Sequence, residues 1–231
     1  MIFDARVLGS VLIAACFSFS AAAEASDFMI EPGRRAGPVT KDMTEAQLKA
    51  LLPKGQVKRV LQHVEEDVYN CGTLIYAGTD NEAFVSWASM TKDYWGDDPK
   101  NVKECEGLPG PSKPQAVTIE NDFFRHPERR SSWRSAKGIR LGMNLRELET
   151  AAGQPFLFSA CQCDYGGVVF GEPLQRTFPN LDLRLFYTDI PDDIRAKYVN
   201  EDDDYALKSS DVPPALARRI LLWKIVARLA R

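Results

Sequence analysis

Histidine is scarce: the chain holds 2, His63 and His126, and neither sits in a His-x-x-x-His or comparable metal-ligand spacing. His126 precedes Pro127 in a charged stretch, where an exposed structural role is expected. There is no Cys-x-x-Cys pair, so the thioredoxin-like redox motif is excluded. No Ser, His and Asp grouping carries a local hydrolase signature. Beyond residue 23 no apolar stretch approaches the ~18 residues of a membrane-spanning helix. Charge of neither sign dominates: 29 Lys and Arg against 32 Asp and Glu give a net charge of -3. With a pI near 5.6 there is no basic footprint for nucleic acid. The acidic run Glu201–Asp204, with Asp189, Asp192 and Asp193 before it, lacks the ligand spacing and glycine turn of a calcium loop. It reads as a solvated loop. No catalytic residue, cofactor or metal is expected from these patterns, and the chemistry leans away from an enzyme.

What is present is an ordinary globular composition, 45% hydrophobic and 26% charged, behind an export signal. Arg6 supplies the positive region, Val7 to Phe19 the apolar run, and Ala21-Ala22-Ala23 the small residues before a cut at Glu24. Residues 1–23 are therefore expected to be a signal peptide, and the mature chain to be periplasmic or secreted. A rival lies in the same segment. Ile13-Ala14-Ala15-Cys16 has the form of a lipobox, in which Cys16 is acylated and anchors an outer-membrane lipoprotein.

The chain has 5 cysteines, and removing Cys16 leaves Cys71, Cys105, Cys161 and Cys163. An even set in an oxidising compartment suggests disulfides, with three possible connectivities. Cys71–Cys105 is the first expectation, because both lie in the first half and flank a strand-rich stretch. Two steps along a strand separate Cα atoms by about 6.7 Å, near the upper limit for a disulfide. Cys161 and Cys163 therefore close on each other only across a tight turn. Two thiolates alone do not complete a structural metal site.

A short pattern recurs. Val39 to Leu48 matches Ile139 to Leu148 without gaps, each with a methionine, a capping residue, and an amide or acid three places on. Thr44 with Gln47 and Asn144 with Glu147 have the character of reciprocal helix caps, and Met43/Leu48 and Met143/Leu148 the spacing of a hydrophobic staple. Helices are expected over Glu45–Leu52, ended by Pro53 and Gly55, and over Leu145–Ala152, ended by Gly153. Strands are expected at Thr73–Ala77, Ala83–Ala88, Ala116–Glu120, Gly167–Phe170 and Leu181–Tyr187. Val57 to Val68 and Ile220–Leu229 fit a helical stripe, but their β-branched content favours strands, the second preceded by a helical turn at Pro214–Arg218. Asp93–Lys113, punctuated by Gly and Pro, reads as a loop.

The expected fold is α+β, two repeated units of a short helix packed on an antiparallel β-sheet. The first unit spans 24–120, a connector 121–132, and the second unit 133–231.

These residues resemble a group of bacterial periplasmic proteins with tandem helix-plus-sheet modules. The resemblance rests on Ile30 to Val39, and on Ser132-Trp133-Arg134, Gly138 to Met143, Leu148-Glu149, Gly153 to Phe156 and Asp164-Tyr165-Gly166-Gly167. There is a weaker similarity to the modules of outer-membrane assembly lipoproteins and β-lactamase-inhibitor-type proteins. The resemblance implies an exported α+β protein without an assigned activity. Where the group has an aromatic before Asp164-Tyr165, this chain has Cys163, so any role of Cys161 and Cys163 is its own.

The functional expectation is a non-catalytic binding or interaction module for an envelope protein or ligand. The alternative is an envelope enzyme with a thiol or carboxylate site. Tyr94 and Trp95, near Asp97 and Asp98, form one candidate interaction surface. Asp164 and Tyr165 form another, where paired glycines admit a close approach or make a tight turn.

Overall fold

The structure, a computed structural model, describes residues 27–65, 67–90, 92–121, 128–160, 166–187 and 206–229. Strands β1 (Met29–Glu31), β2 (Arg35–Ala36) and β3 (Val39–Thr40) lead into α1 (Glu45–Leu51). There follow β4 (Val57–Glu65), β5 (Val68–Ile75), β6 (Ala83–Trp87), β7 (Asp93–Trp95), α2 (Pro99–Gly107) and β8 (Pro114–Glu120). Then come β9 (Arg134–Ser135), α3 (Leu145–Ala152), β10 (Leu157–Ser159), β11 (Val169–Phe170) and α4 (Glu172–Thr177). The last described elements are β12 (Leu181–Tyr187), β13 (Ala206–Lys208), α5 (Pro214–Ala217) and β14 (Ile220–Arg228). The architecture is mixed α+β, with sheet predominating.

Both expected helix entries form as reciprocal caps. The Thr44 hydroxyl accepts from Gln47 N at 3.2 Å while Gln47 Oε1 accepts from Thr44 N at 2.8 Å. Asn144 Oδ1 accepts from Glu147 N at 3.1 Å, and Glu147 Oε2 from Asn144 N at 2.8 Å. Each box satisfies amide donors that a helix start otherwise leaves open. Leu48, Met143 and Leu148 are buried and Met43 is half-buried, as staples require. Gly153 ends α3 at a φ of 75°, in the left-handed region that favours glycine.

The entries are seated alike. Met43 O accepts from Lys113 N at 3.1 Å, just before β8, and Met143 O accepts from Leu222 N at 2.8 Å, in β14. The two strands so engaged then pair with each other, antiparallel, with Ile119 opposite Ile225 and Thr118 opposite Val226. They lie inside a seven-stranded sheet of order β12-β14-β8-β6-β5-β4, with β7 added beside β5. A four-stranded sheet, β3-β2-β1-β9, and a three-stranded one, β11-β10-β13, complete the frame. The first two sheets both draw strands from either side of the 121–132 stretch.

Alternation sorts the large sheet into a covered and an open face. Val85 and Trp87, Val117 and Ile119, Leu183 and Leu185, and Ile225 and Ala227 turn inward and are buried. They join Leu48 of α1 and Leu145 and Leu148 of α3 in one hydrophobic core. Cys71 of β5 and Cys105 of α2 form a disulfide, Cα–Cα 5.6 Å, as the sequence suggested.

One segment departs from expectation. Asp93–Lys113 is not a continuous loop: it holds β7 and α2. Asp98 is the cap, its Oδ1 accepting from Lys100 N at 2.7 Å, and Pro99 takes the first turn, where a missing N–H costs nothing. Elsewhere the differences are in bounds. β5 begins at Val68, not Thr73, and ends before Tyr76, which adopts a φ of 53°. The strand expected at 167–170 shortens to Val169–Phe170. The Val57 and Ile220 segments are strands, the second preceded by the helical turn α5.

Candidate functional site

The open face of the seven-stranded sheet carries a concave hollow. Residues that alternate with the core set line it: Gln62 on β4, Asn70 on β5, Phe84 and Ser86 on β6, Ala116 and Thr118 on β8, Lys224 and Val226 on β14, Asp182 and Arg184 on β12. They enclose a cavity of about 480 Å³, and Val168 and Val169 close its far side. A neighbouring depression of about 350 Å³ shares Gln62, His63 and Thr118 with it, so the two form one hollow. Strands at opposite ends of the sheet order, β4 and β12, thus line the same space. The sheet is curled, as twisted antiparallel sheets tend to be.

The floor is apolar and fixed. Phe84 is 6% exposed although it lies on the open face, because its ring rests on Gly72 of β5. A Cβ at Gly72 would come within 2.2 Å of Phe84 Cζ and 2.6 Å of Val85 O. Only glycine lets the ring lie against the sheet.

The rim is charged but internally matched. Glu120 Oε1 accepts from Gln62 Nε2 at 2.7 Å, and Glu120 Oε2 lies 3.3 Å from Lys224 Nζ. Arg228 Nε donates to Asp182 Oδ2 at 2.7 Å. The exposed Arg228–Asp182 pair contributes about 0.2–1 kcal/mol, and the Lys224–Glu120 pair is half-buried. Their larger effect is to give the hollow a patterned, near-neutral rim around an apolar floor.

The buried carboxylate next to this sheet serves the fold. Glu45, the first residue of α1, is 2% exposed. Its Oε2 accepts from Arg59 Nη2 at 2.5 Å and Lys49 Nζ at 3.0 Å; its Oε1 accepts from Thr73 Oγ1 at 3.0 Å. Thr73 in turn accepts from Trp87 Nε1 at 2.9 Å, and the Arg59 guanidinium also donates to Leu108 O. Burial pushes the Glu45 carboxyl up, but the Arg59, Lys49 and Thr73 hydrogen bonds outweigh it and hold the group below its usual 4.5. In the second half, Ser209 is fully buried and donates to Glu149 Oε1 at 2.6 Å while accepting from Phe156 N at 3.0 Å. Neither network opens onto the hollow. A third pocket, of about 380 Å³, holds Arg35, but Asp27 at 2.7 Å and Glu31 at 2.6 Å occupy its guanidinium.

Of the residues singled out in the sequence, Cys71 and Cys105 are joined. Trp95 is 71% exposed on β7, whereas Tyr94 is buried at 2%. Adjacent strand residues face opposite sides, so the pair does not form one surface. Lys92 Nζ lies 4.6 Å from the Tyr94 ring centroid. Cys16, Cys161, Cys163, Asp164 and Tyr165 lie outside the described residues, as do His126 and the acidic run. Gly167 is described, and its close neighbour is the chain itself. Leu185 N donates to Gly167 O at 2.8 Å, and a Cβ at Gly167 would lie 1.8 Å from Leu185 O. His63 is exposed on β4, its ring 5.2 Å from that of Tyr69.

The open face itself was not singled out in the sequence. The alternation of Leu181-Asp182-Leu183-Arg184-Leu185 marks one wet strand face, but not which strands stand beside it. No family profile, curated relative or solved structure matches this chain. Among the described residues no group of three or more His, Cys, Asp or Glu is placed to hold a metal ion. Nor, among them, is any helix long and apolar enough to cross a membrane.

Proposed function

We propose that the chain is an exported, non-catalytic binding module that seats a protruding segment of an envelope protein on the open face of its seven-stranded sheet. The carrying observation is the curled hollow that runs from β4 to β12, with Phe84 and Val226 in its lining and matched charges at its rim. An apolar centre inside a polar rim is the anatomy of a protein interface. Lys224 and Arg228 at the rim are already paired with carboxylates, which disfavours a small anion there and suits a partner that meets both signs at once. The exposed Trp95 offers an additional aromatic contact.

Read as an export signal, residues 1–23 support an activity in the periplasm or outside the cell, with acylation at Cys16 as the anchored alternative. The like seating of Met43 and Met143, and the meeting of β8 with β14, support two helix-plus-sheet units whose sheets merge. An enzyme reading with a carboxylate site is weakened by the engagement of Glu45 and Glu149 in buried hydrogen bonds.

Photocrosslinking in intact cells tests the proposal. A crosslinker at Ser86 or Thr118, within the hollow, is expected to trap one discrete partner, and Val226→Arg to abolish the adduct. The same crosslinker at the exposed Ala46 of α1 is expected to trap none. Equal adducts from both faces, or none from either, refute the docking face.

A further inference from the structure

α2 buries few of its own side chains. Of its nine residues, only Cys105 is buried; Asn101 and Val102 are half-buried and the rest are exposed. Its side-chain bonds stay local. Asn101 Nδ2 donates to Trp95 O at 3.2 Å and Gly96 O at 3.3 Å, and Glu104 pairs with Lys92 at 2.5 Å, all within 92–104. The Lys92–Glu104 pair is exposed on both sides, at 58% and 42%, and contributes little. To the body of the sheet the described ties of the 96–108 segment are the disulfide to Cys71, the Arg59 bond to Leu108 O, the Gly96 N donor to Asp67 O at 2.9 Å, and packing against β4. A helix this short is unstable by itself in water. Its position therefore rests on one covalent bond together with its packing against β4.

We infer that Cys71–Cys105 is a redox-sensitive latch on α2, whose reduction releases the 96–108 segment while the seven-stranded sheet stays folded. A dithiol reductant supplies the chemistry. One of its thiolates attacks a cysteine sulfur, the Cys71–Cys105 bond breaks, and the second thiolate displaces the mixed disulfide. The reductant leaves as a cyclic disulfide, and the two cysteines gain two electrons and two protons. Cys71 is 1% and Cys105 0% exposed, so exchange waits on local opening of the segment. Once reduced, the chain loses the loop-closure restraint across a separation of 34 residues. Release uncovers Cys71, the half-buried Leu61 opposite it, and the edge next to Trp95. The open face lies on the other side of the sheet, so this inference stands apart from the docking proposal.

Limited trypsin digestion of the full chain, read by mass spectrometry, tests it. The oxidised protein is compared with protein reduced by dithiothreitol and then alkylated, and with the double variant Cys71→Ala, Cys105→Ala. Cleavage after Lys100 and Lys103 is expected to rise ~10-fold or more in both reduced and variant protein. Cleavage after the exposed Lys137 and Arg176 is expected to stay within ~2-fold. Unchanged cleavage at Lys100 and Lys103 in the reduced protein overturns the latch. So does a uniform rise at every site, which would mean that the bond holds the sheet and not the helix.

Discussion

Replacing Glu45 by alanine removes the acceptor for three donors at once. Arg59, whose side chain is 9% exposed, would keep only Leu108 O, and Thr73 would lose the acceptor for its hydroxyl proton. Stranding a buried charge costs about 3–5 kcal/mol. Domain stabilities run from about 5 to 15 kcal/mol, so this one change is expected to remove a large share of the total. Glu45→Gln keeps the shape but not the charge, and about 1–3 kcal/mol is expected. The second helix offers the control. Leu145 occupies the place of Glu45 after its own cap and is fully buried. The double variant Glu45→Leu, Arg59→Met should therefore recover most of the loss, because a buried ion pair is often no better than apolar packing. Urea unfolding followed by tryptophan fluorescence measures all three, with Trp87 reporting from inside the network. The pH dependence has a fixed sign. The Glu45 carboxyl is held below 4.5, so its stabilisation is present above that pH and lost as pH falls through the depressed value. The gap between wild type and Glu45→Gln should close on acidification. A loss below ~1 kcal/mol for Glu45→Ala, or a gap that persists in acid, refutes the reasoning.

Gly167→Ala is expected to cost about 3 kcal/mol or more, because the new Cβ meets Leu185 O at 1.8 Å and φ is +77°. Calorimetry that finds the variant as stable as wild type would refute that close approach. Thr44→Ala and Asn144→Ala should each lower stability by about 1 kcal/mol through loss of a cap. Equilibrium unfolding showing no loss at either site would mean that the boxes are ornamental to these short helices.

The parts legible in the sequence were those governed by neighbouring residues. The caps at Thr44 and Asn144 announce α1 and α3, and alternation announces β12. The disulfide followed from the even cysteine count left by the expected export signal, and from the place of both residues in the first half around a strand-rich stretch. α2 was obscured because Val102 and Cys105 are too few to make an apolar stripe; its one local signal was Asp98 before Pro99, outweighed by the surrounding glycines and prolines. The Glu45 network was hidden for a different reason. An acidic residue in the first turn suits the helix dipole and is ordinarily solvated. Its partners Arg59 and Thr73 stand 14 and 28 positions away, beyond the reach of periodicity. The hollow depends on β8 lying beside β14, and no local pattern specifies that pairing.

That same pairing has a consequence for synthesis. Residues 114–120 sit in the middle of the large sheet, yet the strand that covers one of their edges is residues 220–228. While the chain is emerging, β8 presents that edge bare, an open template for any extended segment nearby. Completion of the sheet therefore waits until the late strand arrives. A chain cut before β14 should be a sticky half-sheet, not a smaller working protein.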